Sequence, residues 1–75
     1  MKWTQDKKNG AHYSEEALCV QGDGYGKFFA TAYYPSWNEP ILSVHIHAVH
    51  TAKESKALAE RVYLAIKREM EVVRS

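Results

Sequence analysis

Three of the four histidines of this chain lie within Ser43-Val44-His45-Ile46-His47-Ala48-Val49-His50. Imidazole is the side chain that most readily binds a transition metal or changes charge near neutral pH. His45 and His47 are two residues apart, so on a strand both rings project from one face, about 7 Å apart. Such a pair can supply two metal ligands. A zinc site needs three or four, and His12, Cys19 or His50 must provide the others. The competing readings are a pH-sensitive interface and an ordinary half-polar strand whose outward positions are histidine. His50 is out of phase with the pair and belongs to the turn that follows.

The remaining chemistry-bearing residues are sparse. Cys19 beside a histidine suggests a thiol nucleophile, yet no third group that would orient the base is apparent, and a structural, partly buried thiol is the simpler reading. Gly22-Asp23-Gly24-Tyr25-Gly26 resembles a phosphate-binding loop only in composition. A strand follows it, whereas phosphate binding requires the N–H groups of a helix N-terminus, so the segment reads as a hairpin turn. Lys56, Lys67 and Arg74 form a stripe along one flank of the C-terminal segment and are the candidate nucleic-acid contacts. Glu60 and Glu71 interrupt that stripe, as expected of a solvated helix flank. Trp37, in Pro35-Ser36-Trp37-Asn38-Glu39-Pro40, is either an anchor for a partner or a plug for one end of the core.

Periodicity defines the elements that carry these residues. Residues 52–75 contain no glycine or proline. Thr51-Ala52-Lys53-Glu54 has the form of a capping box, in which the Thr51 hydroxyl accepts from the Glu54 N–H and the Glu54 carboxylate reaches back. Leu58, Val62, Ala65, Ile66, Met70 and Val73 then recur on one face, predicting a helix over about 52–73. Leu64 falls on the polar side and Glu69 near the apolar one, close to the C-terminus, where the helix can overrun whatever it packs on. Ahead of the helix, aromatic and β-branched runs separated by turn signals predict strands over about 11–21, 25–35 and 41–50. Asn9-Gly10 adds a possible short first hairpin, while Ser14-Glu15-Glu16-Ala17 can instead open a short helix. The fold class is therefore α+β: a three- or four-stranded antiparallel meander followed by one long C-terminal helix packed on one sheet face.

Alternation assigns Leu18, Val20, Phe28, Ala30, Ala32, Leu42, Val44, Ile46 and Ala48 to the side that the helix covers. The opposite side carries Cys19, Phe29, Thr31, Tyr33, His45 and His47. One helix covers one side only, so this second face is left as a candidate interaction surface, with Trp37 in the adjoining loop. It is too aromatic for a purely solvated face and too polar for a core.

Size and composition bound the rest. The chain has 75 residues, 45% hydrophobic and 25% charged, with a formal net charge of +1. These values describe one globular domain with a marginal core. The net charge does not announce a nucleic-acid binder. With one cysteine, the chain cannot form an internal disulfide, and a lone thiol suits a reducing compartment. No apolar run is long enough to span a bilayer, and the start, Met-Lys-Trp-Thr-Gln-Asp-Lys-Lys, lacks the apolar stretch of a secretory signal. The expectation is a cytoplasmic protein that needs no cofactor and forms a homodimer through the second sheet face or an edge strand.

Two resemblances can be stated on these residues. Trp3, Asn9-Gly10, Tyr13-Ser14, the meander and Thr51-Ala52-Lys53-Glu54-Ser55-Lys56 together resemble small phage- or prophage-encoded accessory proteins of unknown function. Residues 17–73, with the Asp23-Gly24-Tyr25 turn, are similar in layout to the N-terminal domain of HicB-type antitoxins, which is related in shape to double-stranded RNA-binding domains. This chain departs from the latter in lacking an appended DNA-binding domain and in its long strand at 41–50. Neither resemblance transfers a functional residue. The first implies a small non-enzymatic protein-interaction module, an accessory or inhibitor that occludes or bridges a protein partner. The alternatives are a nucleic-acid-binding module using the aromatic sheet face or the basic flank, and a metal-binding protein using the His45/His47 pair.

Overall fold

The structure, a computed structural model, describes residues 2–14 and 17–74, with the side chains of Ala48 and Arg74 excluded. The element order is β1 (Thr4–Gln5), β2 (His12–Ser14), β3 (Leu18–Gly22), β4 (Phe28–Tyr34), β5 (Leu42–Val49) and α1 (Ala52–Arg74). All neighbours are antiparallel and the sheet order is β1-β2-β3-β4-β5. This is the α+β meander and single helix expected, but with five strands rather than three or four. The strand expected over 11–21 is two, β2 ending at Ser14 and β3 starting at Leu18. The helix considered at 14–17 falls largely on residues outside those described.

The additional strand has a physical origin that periodicity does not register. Thr4 and Gln5 are both exposed, so the pair shows no inside–outside alternation. The segment is placed by its neighbours. Trp3 packs against the core cluster, and its indole Nε1 donates to Glu60 on α1 at 2.6 Å. The Lys56 ammonium sits 5.7 Å from the Trp3 ring centroid, a cation–π distance. The β1–β2 turn is closed locally: Asp6 N–H donates to Ala11 C=O, Gly10 N–H donates to Asp6 C=O, and Gly10 has φ +74°.

The core lies between α1 and the middle strands. Leu18, Val20, Ala30, Ala32 and Ala59 are fully buried, with Ile46, Phe28, Val62 and Tyr63 packed around them. Small residues on both layers, Ala30 and Ala32 below and Ser55 and Ala59 above, let the helix sit close to the sheet. α1 starts at the expected cap: the Glu54 N–H donates to Thr51 Oγ1 at 3.1 Å. Its far end does not follow the expected pattern. Val73 is 77% exposed, because a 23-residue helix, about 34 Å long, outruns strands of eight residues or fewer. Among the described residues no helix is long and apolar enough to cross a membrane.

Candidate functional site

The sheet face away from α1 is assembled in cross-strand rows. Register places Thr4, Tyr13, Cys19, Thr31 and His45 side by side across all five strands. A second row joins Gln21 to Phe29, and a third joins Tyr33 to Ser43. Between Phe28–Val49 and Ala30–Ile46 the register shifts. His47 and Ala48 both lie opposite Phe29 there, a bulge that aims His47 at the Phe29 ring.

The rings on this face form one array. Phe29 and His47 stack with centroids 6.1 Å apart, and His47 stacks on His45 at 6.2 Å. Thr31 Oγ1 is 3.1 Å from His45 Nδ1. That is a hydroxyl–imidazole contact of the kind that activates a nucleophile. Thr31 is only 5% exposed, however, so the contact fixes the imidazole and does not present the hydroxyl to a substrate. His45 and His47 are exposed, whereas Phe29 and Tyr33 are half-buried.

Trp37 folds onto this same face. Its ring meets Tyr13 edge-on at a centroid distance of 5.8 Å, which bridges the β4–β5 loop back to β2. Trp37 stays 37% exposed in this position, beside the sheet face opposite α1. Sequence reasoning left Tyr13 out of the surface. Its pairing with Cys19 puts it there, a signal that needs the β2–β3 register.

The other candidates are dispersed. Cys19 is half-buried on the central row, and burial pushes its thiol above the usual range, which makes it a poorer nucleophile. His12 lies on the helix side, paired with Gln5 and Val20, away from His45 and His47. Burial, and secondarily the Lys56 charge, lower its pKa. His50 is exposed in the bend before α1. Among the described residues no group of three or more His, Cys, Asp or Glu side chains is placed to hold a metal, so within one chain His45 and His47 remain a pair.

Of the basic flank, Lys56 is engaged over Trp3, Lys67 is exposed, and the Arg74 side chain lies outside the described set. Glu60, between the two lysines, is held by Trp3. The Gly22–Gly26 segment is a turn organised by Asp23, whose Oδ1 accepts from the N–H groups of Tyr25 and Lys27. The Tyr25 and Lys27 N–H groups are thus directed at the chain's own carboxylate.

No family model matches this chain, and neither a curated protein nor a solved structure matches it.

Proposed function

We propose that this protein is a non-enzymatic interaction module that binds a protein partner through the sheet face opposite α1. The observation that carries this reading is the Phe29–His47–His45 ring array, ordered by a bulge and by Thr31 but covered by no element among the described residues. Rigid aromatic and imidazole rings held in place before contact lose little conformational entropy on binding. They offer apolar area together with donors and acceptors, the mixture found at protein–protein interfaces. The Trp37–Tyr13 pair borders the array and extends it toward β2. The mode of action is occlusion or bridging of the partner, as in the phage-type accessory proteins that the sequence resembles.

The test is affinity capture from the native host with wild type and with Phe29→Ser/Tyr33→Ser. Partner recovery by wild type, and its loss in a double variant of unchanged circular dichroism, is the expected result. Equal recovery by both proteins refutes the reading. Nucleic-acid binding through Lys56 and Lys67 predicts retention on heparin that falls steeply with salt. The engagement of Lys56 with Trp3 works against it.

A further inference from the structure

The two edges of the sheet differ sharply. β1, at one edge, is two residues long. β5, at the other, has eight, the sequence Leu-Ser-Val-His-Ile-His-Ala-Val, with no proline and no Lys, Arg, Asp or Glu. Exposed edge strands in folded proteins are normally blunted by charge, proline, shortness or a bulge; β5 has only the bulge at residues 47–48, near its end, and residues 42–46 carry none of these.

The direction of its backbone groups follows from the ladder. Tyr33 N–H donates to Ala17 C=O, on the β3 side, at 2.8 Å. In an antiparallel ladder a residue whose N–H points to one neighbour forms a non-hydrogen-bonded pair with the other. Tyr33–Ser43 is therefore such a pair, and by alternation so is Thr31–His45. Ser43 and His45 accordingly turn their N–H and C=O groups away from β4, toward the open edge.

Along the same edge lies an apolar groove of about 270 Å³, walled by Leu42, Ala65, Ile66, Glu69 and Met70. Leu42 is 42% exposed and the adjacent Ile41 60%. The molecule measures 42 × 21 × 18 Å and exposes 5281 Å², against about 4,700 Å² expected for a chain of this mass. The excess is of the order of the ~800 Å² per partner that a stable complex covers.

We propose that β5 pairs antiparallel with β5 of a second copy about a two-fold axis normal to the sheet, giving a continuous ten-stranded sheet with both helices on one side. Self-pairing suits this strand for three reasons. It carries no fixed charge to repel its own copy. Its alternation is self-consistent: any register that joins the outward-facing backbone groups of odd-numbered residues keeps Leu42, Val44 and Ile46 on the helix side. Finally, β1 is too short to accept β5 head-to-tail, so the assembly closes as a dimer instead of growing into a filament. Antiparallel pairing sets each groove, at the Leu42 end of β5, beside the later residues of the second copy's β5. In the registers with the longest ladders, His45 lies opposite either His45 or His47 of the second copy. Four imidazoles then share the outward face, and the two ring arrays become one surface. The proposal is independent of which protein partner that surface meets.

Sedimentation of wild type and Ser43→Pro tests it. Proline at 43 removes an N–H that β4 does not use, so the intrachain ladder survives. The expected result is a wild-type dimer at tens of micromolar, and an association weakened by about tenfold or more in a folded Ser43→Pro chain. Amide exchange of wild type adds a readout that needs no variant: exchange at Ser43 and His45 slows as protein concentration rises. A wild-type monomer throughout that range overturns the proposal and leaves the edge to an extended segment of another protein. A dimer whose Ser43 and His45 amides exchange independently of concentration also overturns it.

Discussion

Ser14 and Ser55 are both buried serines, 2% and 0% exposed, with opposite energetic roles. The Ser14 hydroxyl donates to Lys2 C=O at 2.8 Å, tying the segment before β1 to β2. Ser55 Oγ is buried and, among the described residues, has no hydrogen-bond partner. A satisfied buried hydrogen bond contributes about 1 kcal/mol, and an unsatisfied buried group costs about 1–3 kcal/mol. Urea denaturation should therefore show Ser14→Ala destabilising by about 1 kcal/mol. Ser55→Ala should stabilise by a similar amount, helped by alanine's higher helix propensity. His12 gives a pH dependence whose sign follows from its environment. Its folded-state pKa is depressed below 6.5, so as pH falls through about 6.5 the unfolded chain takes up the proton first. Its contribution is fully present above about pH 6.5 and is lost as pH falls toward the folded value. Melting temperatures across this window should decline toward acid, and His12→Gln should flatten the slope.

At the scale of elements, α1 combines a local signal with a long-range one. Its start is local: Thr51 satisfies a free N–H of the first turn, and Thr51→Ala should cost about 1 kcal/mol in chemical denaturation with no change in fold. That boundary was legible in the sequence because a cap involves residues three apart. An overrun at its far end was legible from Glu69 near the apolar side, but the point where the buried face stops was not. Apolar spacing continues through Val73, but the sheet beneath ends first, so the pattern outlasts the surface it packs on. The β4–β5 loop shows the same division. Its prolines and polar residues mark it as a loop, whereas the landing of Trp37 on Tyr13 depends on a contact between residues 24 positions apart.

At the scale of the whole molecule, one helix on a five-stranded sheet leaves one face and one long edge without cover among the described residues. If β5 closes on a second copy, stability is coupled to association. The melting temperature of wild type should rise with protein concentration, and that of Ser43→Pro should not. The outward array of Phe29, His45 and His47 is then duplicated about the axis, which presents two equivalent surfaces to a partner and raises avidity.

The sequence by itself determined the α+β class, the meander, the capped helix and the two alternating faces. Each is written in spacings of two to four residues, where hydrogen-bond geometry and side-chain direction act locally. It also showed that His45 and His47 share a face and that His50 does not. Only the tertiary structure decided that β1 exists, because Trp3 is held by Glu60, 57 positions away. It likewise decided that Thr31 is buried beneath the His45 contact, that the fold closes over Ser55, and that the longest strand is left at an open edge. These outcomes depend on register and on contacts distant in the chain. Neither has a local period, since each arises when separate elements compete for the same surface.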